Sequence, residues 1–313
     1  MRKRNQWFVS LLASFILTGP VSPVANSHAN PTEVLTKVDE VGKATKSVHS
    51  AGFLSVASAN QGQLEEDGQF NFDLKVNREE PNSFAFLSAL STGGLEIEVY
   101  LKDNVMTVIA LGQVLFHEEI TDEVEEITDK ASEIKAEFEI ESKLTTPEQI
   151  LKMMNFTEND THYVLSLKED LDIDALWEEV TKGLDVNQAK AEYIKQMEAQ
   201  GLEVDEATLV MIDKVYNKEF VRALFATFNP KVEVHYAKDT YYLTTFKTEL
   251  DITATDLATL VTEFYPEKVS DIEELPETIL IKFEVNFDGH NQPQNIEVPE
   301  VTVTPVETSS SAE

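Results

Sequence analysis

The chain has 313 residues with 42% hydrophobic content, enough apolar material for a substantial core. Its formal charge of −32, from 57 acids against 25 bases, disfavours nucleic acid and anionic lipid headgroups, because no basic stripe offsets the repulsion. With no cysteine, disulfides, thiolate catalysis and cysteine-held metals are excluded.

The N-terminus reads as an export leader. Arg2, Lys3 and Arg4 precede an apolar run from Trp7 to Leu17 that is short for a membrane span. Ser27-His28-Ala29 puts small residues where a signal peptidase reads, so residues 1–29 are expected to be a signal peptide cleaved after Ala29. Leu17-Thr18-Gly19 opens like a bacterial lipobox, but Pro20 stands where the lipid-accepting cysteine would be. Without a thiol there is no acylation, and the expected location is extracellular or cell-envelope associated, free of a lipid anchor.

Pro31 to Ser50 carries Val34, Val38, Val41, Thr45 and Val48 near helical spacing and predicts an amphipathic helix. Ala51 to Ala59 predicts a weakly alternating strand, and Asn60 to Asp67 a polar loop. Phe70, Phe72, Leu74 and Val76 alternate strictly with polar residues, the period of a strand with one greasy face. Phe84 to Leu90 predicts another strand. Leu95, Ile97, Val99 and Leu101 form the next, and Lys102-Asp103-Asn104 turns the chain into Val105 to Leu111. Successive hairpins of this kind signal an antiparallel sheet.

Ile120, Val124, Ile127, Ala131 and Ile134 predict a helix with an acid-rich outer face. Thr146-Pro147-Glu148-Gln149 is a capping box opening a short helix through Ile150, Leu151, Met153 and Met154. Tyr163 to Leu167 predicts a strand. Residues 174 to 228 are helical in pattern, with Asp174 as the expected cap of Ala175-Leu176-Trp177 and a compact greasy helix from Glu219 to Phe228. Strands follow at Val232 to Tyr236 and Tyr241 to Ile252, then a helix from Thr255 to Phe264 and a linker to Pro276. Ile279 to Phe287 repeats the strict alternation through Ile281, Phe283 and Val285. Asp288 to Asn291 turns, Ile296 to Pro299 is a short extended edge, and residues 302–313 form a polar, disordered tail. The pattern predicts an α+β fold: one domain over residues 30–301, with a helical insert near 174–228. Its long curved antiparallel sheet is assembled from both ends of the chain, with helices on the concave face.

Several soft turn motifs accompany this order. An opening helix runs into Ser47-Val48-His49-Ser50-Ala51, a hairpin turns at Tyr100 to Asn104, and a mid-chain helical insert leads to Lys238-Asp239-Thr240-Tyr241. The last strand closes with Asn291-Gln292-Pro293 and Ile296-Glu297-Val298-Pro299. In these features, over most of residues 31 to 300, the sequence resembles the half-barrel lipoprotein superfamily of LolA and LppX, in particular its Gram-positive branch. The resemblance implies a sheet of about eleven strands around a hydrophobic cavity lidded by helices, in proteins that carry lipids or acylated proteins.

The sequence offers no constellation for chemistry. The six histidines are scattered at His28, His49, His117, His162, His235 and His290, and neither a His-Glu-x-x-His pair nor a Gly-x-Ser-x-Gly elbow occurs. Asp170, Asp172 and Asp174 alternate as in a calcium loop, but Ala175 and Thr181 replace the required glycine and glutamate. No catalytic residue, cofactor or metal is assigned. Met153, Met154, Met197 and Met211 read as core fillers.

The reading is therefore a non-catalytic, monomeric binder of a hydrophobic small molecule or lipid. The expected cavity lining is Phe70, Phe72, Leu74, Val76, Leu95, Ile97, Val99, Leu101, Ile281, Phe283 and Val285, with Phe220, Leu224 and Phe225 on a lid helix. The alternative is a cell-surface interaction protein with a packed core, whose acidic face, for instance Glu118 to Glu139, meets a cell-envelope protein.

Overall fold

The computed structural model describes residues 29–60, 63–77, 83–90, 94–103, 105–119, 146–181, 186–199, 204–265 and 276–299. The leader, the acid-rich helix expected from Ile120, the linker before Pro276 and the C-terminal tail lie outside these residues. Helix α1 (Pro31–Ala44) opens the described chain. Six strands follow: β1 (Ser47–Asn60), β2 (Gln63–Asn77), β3 (Ser83–Leu90), β4 (Leu95–Lys102), β5 (Val105–Ala110) and β6 (Gln113–Glu119). The short helix α2 (Pro147–Ile150) leads to β7 (Met154–Glu158) and β8 (His162–Leu167). Helices α3 (Ile173–Val180), α4 (Val186–Ala199), α5 (Glu206–Val215) and α6 (Lys218–Phe228) form the insert. Strands β9 (Lys231–Ala237) and β10 (Leu243–Thr253), helix α7 (Ala254–Phe264) and strand β11 (Thr278–Asp288) complete it.

All the strands join one antiparallel sheet of eleven, in the order β6-β5-β4-β3-β2-β1-β11-β10-β9-β8-β7. The two strictly alternating stretches do not pair with each other. They flank β1, which pairs with β2 on one side and with β11 on the other. The weakly patterned, small-residue strand thus lies at the seam, its pairing with β11, where the two arms of the sheet meet.

Local signals explain several boundaries. Asn30 caps α1 by accepting from the Thr32 amide at 3.2 Å, and Pro31 fills the first turn, where its missing N–H costs nothing. The helix ends at Ala44, short of the Ser50 expected from apolar spacing, because Val48 enters the β1 ladder opposite Val76. The Thr146–Gln149 capping box forms as its spacing requires, but α2 stops at Ile150 and Met154 opens a strand. Most of the stretch expected to be a polar loop before Phe70 is strand, since Gln63 to Glu66 pair with Asn60 to Ala57 of β1, and a register shift separates them from Gly68 opposite Val56. Asp172, not Asp174, accepts from the Ala175 amide at the start of α3. Asp174 lies one residue inside that helix and pairs instead with Arg222 and Lys218 of α6.

The main core lies on one face of the sheet. Val34 and Leu35 of α1 pack there with Leu151, Met153 and Met154, against Phe156, Leu165, Val234 and Phe246 of the β7–β10 arm. A second, smaller cluster occupies the opposite face. After β11 the chain turns through Gly289 and Asn291, both with positive φ, and the Asn291 amide donates to the Ser47 carbonyl at 2.9 Å. This brings Ile296 against Ala85, Tyr100 and Ile109, with Val298 beside it. The expected edge strand at Ile296 to Pro299 is therefore an unpaired strap over β3, β4 and β5. Ile296 is only 4% exposed, so Ile296→Ala is expected to cost about 2–4 kcal/mol, read as a lower urea midpoint with an unchanged slope.

Candidate functional site

Cross-strand partners in an antiparallel ladder share a face, so the register decides which side chains can meet one ligand. On β1, Leu54 stands between Phe70 and Phe283, Gly52 between Phe72 and Val285, and Val56 lies opposite Ile281. Leu74 pairs with Phe86, which pairs with Val99, and Val76 pairs with Phe84, which pairs with Leu101. Leu90 lies opposite both Phe70 and Leu95, and Ser88 opposite both Phe72 and Ile97. By register all eleven residues expected from alternation thus fall on one face, and they come from three strands, β2, β4 and β11, joined through the intervening β1 and β3.

The same face continues along the other arm. Val285 pairs with Phe246, Phe246 with Val234, Val234 with Leu165 and Leu165 with Phe156. These residues lie beneath α1 and form the main core. The two arms differ in cover. Phe156, Leu165, Val234 and Phe246 are buried, as is Val285 at the seam. Phe70, Phe72, Leu74, Val76, Ile97, Val99, Ile281 and Phe283 are half-buried. Leu54 in their midst is 38% exposed. Leu101 is buried with Met106 and Phe116 near the far edge.

Phe283 joins the two regions. Its ring stacks on Phe72 with centroids 5.8 Å apart, and it meets Phe246 edge-on at 6.1 Å. The stack reaches across β1 because residue 52 is glycine. A Cβ there would lie 2.8 Å from Phe72 Cζ and 2.2 Å from the Glu284 carbonyl oxygen.

The expected lid residues separate into two kinds. Phe220 is buried, packed edge-on against Phe264 at 5.0 Å and Tyr265 at 6.1 Å. Leu224 and Phe225 are half-buried on the same helix. Helix α6 starts at the Asn217 cap and ends at Asn229, whose left-handed backbone breaks it. Arg222 and Lys218 both bind Asp174 and tie α6 to α3. The Arg222 hydrogen bond holds the Asp174 carboxyl below its usual range.

An aromatic and charged rim closes the end of the covered arm. Tyr163 stacks on Tyr241 at 5.9 Å, and Lys37 of α1 donates to the Tyr241 hydroxyl at 3.3 Å. Lys238 pairs with Glu158 at 2.8 Å. Burial pushes the neighbouring Tyr236 phenol up to about 12.

Away from the Ile296 cluster, the opposite face of the sheet is polar along β9, β10 and β11. Glu249 lies between Lys231 at 3.1 Å and Lys282 at 3.3 Å, and Lys247 pairs with Glu284 at 3.2 Å. Such exposed pairs contribute little individually. His49 sits on this face with a carboxylate at each ring nitrogen: Asp288 Oδ1 is 2.8 Å from Nδ1, and Asp73 Oδ2 is 2.8 Å from Nε2. Sequence spacing did not reveal this constellation, since its members come from three strands and only the register joins them. Among the described residues, no group of three or more His, Cys, Asp or Glu side chains is arranged to hold a metal ion. Of the acidic stretch 118–139, only Glu118 and Glu119 are among them, and both are exposed.

No family model matches the chain, and neither does any curated protein. Among solved structures, a crystal structure of a LolA superfamily protein from Nitrosomonas europaea aligns with 86% of this chain and 96% of that one, at 8% identity and a TM-score of 0.21. So loose an overlap transfers neither fold nor ligand, and the site stands on its own geometry.

Proposed function

We propose that this protein binds or carries a hydrophobic ligand, a lipid or acyl chain, without catalysing a reaction. The sheet curves as a half-barrel around that ligand, as in the lipoprotein superfamily that the turn motifs resemble. The ligand lies on the face lined by Phe70, Phe72, Leu74, Val76, Ile97, Val99, Ile281 and Phe283, with α6 near its entrance. The chain acts as an exported monomer, cleaved after Ala29 and free of a lipid anchor because Pro20 cannot be acylated.

One feature of the sheet supports this. The apolar face runs unbroken across the seam, yet it is buried under helices along β7–β10 and only half-buried along β2 and at Ile97 and Val99 of β4. A surface of this kind gains about 0.8 kcal/mol for each methylene it removes from water, enough over a long acyl chain to offset the cost of association.

Native mass spectrometry of protein purified without detergent, followed by solvent extraction, is expected to release a lipid-sized species. Binding of a fluorescent long-chain fatty acid supplies the second readout. Leu54→Asp places a charge on an already exposed position of this face, so the fold is expected to survive while affinity falls at least roughly tenfold, the effect of ~1.4 kcal/mol. A bare mass together with fatty-acid affinity unchanged by Leu54→Asp would overturn the ligand reading and favour a packed-core interaction protein.

A further inference from the structure

The seam between β1 and β11 is where the two arms of the sheet meet. Without it the sheet divides into the β1–β6 arm and the β7–β11 arm. His49 bridges this seam near one end: it belongs to β1, Asp73 to β2 and Asp288 to β11. By register it lies opposite Asp288 on one side and Lys75 on the other, with Asp73 diagonal to it.

Both ring nitrogens face carboxylate oxygens at 2.8 Å. Only an imidazolium carries two N–H donors, so only the protonated ring satisfies both contacts. A neutral ring donates once and turns a lone pair toward the other carboxylate. That loss is not trivial on the β2 side, because Asp73 Oδ1 is itself buried without a hydrogen-bond partner. Asp73 then retains an uncompensated, partly desolvated charge. The charged groups facing His49 on this side of the sheet are Asp73 and Lys75 from β2 and Asp288 from β11, while Lys46 just precedes β1.

We propose that His49, clamped between Asp73 and Asp288, is a pH-sensitive lock on the seam of the sheet: protonated it ties β2, β1 and β11 together, and neutral it lets that end of the seam loosen. The apolar face on the other side of the same seam carries the Phe72–Phe283 stack, three residues along β1 at Gly52. The lock does not depend on the ligand reading, since it acts on strand pairing.

The direction in pH follows from linkage. Burial opposes the charged ring, but the hydrogen bonds and charges of Asp73 and Asp288 outweigh it and raise the pKa of His49 above 6.5. The unfolded chain loses this proton first, so the contribution is full below the unfolded pKa of ~6.5 and is lost as pH rises through the folded value.

Two measurements on the full folded chain test the lock. An NMR titration of the His49 ring is expected to give a midpoint above ~6.5 that moves down in Asp288→Asn, a change at an exposed carboxylate that leaves the fold intact. Hydrogen exchange, corrected for its intrinsic pH dependence, is expected to show seam amides at residues 49–52 and 285–288 opening at least roughly fivefold more readily at about pH 8.5 than at about pH 6. In His49→Gln that difference is expected to vanish. A wild-type midpoint at or below ~6.5, or the same loosening in His49→Gln, would overturn the proposal. Neither result depends on whether a lipid is found.

Discussion

Gly52→Ala is expected to lower stability by about 3 kcal/mol or more, measured as a fall in the urea midpoint. The new Cβ would stand 2.2 Å from the Glu284 carbonyl oxygen and 2.8 Å from Phe72 Cζ. Phe72 can rotate or tilt to relieve its part of the overlap. The Glu284 carbonyl has less freedom, because Glu284 lies in the ladder between Phe53 of β1 and Lys247 of β10. Relief therefore means moving the backbone at the seam, where the pairing of β1 with β11 joins distant parts of the chain. Displacing Phe72 also separates it from Phe283 and breaks the apolar face at its midpoint. Fatty-acid binding by any folded fraction is expected to weaken with stability. An unchanged urea midpoint would mean that the seam has slack the close contacts do not indicate.

Phe220→Ala is expected to cost about 3–5 kcal/mol, the loss typical of truncating a fully buried aromatic ring. Phe220 is 1% exposed and fills the junction of α6 with Phe264 and Tyr265 at the end of α7. Val221 and Thr227 are buried on the same helix. Leu224 and Phe225 are half-buried, so alanine there is expected to cost less, about 1–2 kcal/mol each. The three residues first grouped as a lid thus part into one buried anchor and two half-buried positions. Stopped-flow uptake of a fluorescent fatty acid is expected to quicken in Leu224→Ala. A loss below about 1 kcal/mol in Phe220→Ala would show that α6 is held mainly by its surface ion pairs with Asp174.

Strict alternation was sufficient to identify the apolar face. Phe70, Phe72, Leu74 and Val76 announce their side of β2 without help from any other strand, because successive side chains in a strand point to opposite faces. The Thr146–Gln149 capping box and the Asn291 turn were legible for the same reason: the atoms that satisfy them lie within a few residues. The strands β6 and β7 were not legible. Gln113–Glu119 ends in charged residues, and Met154–Glu158 follows directly on a helical turn. Each is an edge strand with one neighbour, so a short, irregular pattern meets the demands on it.

The seam was least legible of all. Ser47–Asn60 is rich in serine, alanine and glycine, and its alternation is faint. Small residues are what the position requires, since β1 lets Phe72 and Phe283 meet above Gly52 and seats His49 between two carboxylates below. Neither role leaves a periodic signal, because the partners come from β2 and β11.

By itself, then, the sequence determined the antiparallel character of the sheet, the greasy face of each regular strand, and most helix starts. Those properties depend on contacts between residues near one another in the chain. Only the tertiary structure decided that β1 separates the two alternating strands, that the strap at Ile296 covers the opposite face, and that His49 bridges three strands. These depend on which distant segments share a ladder. Burial across the whole sheet selects that register, and no local stretch encodes it alone.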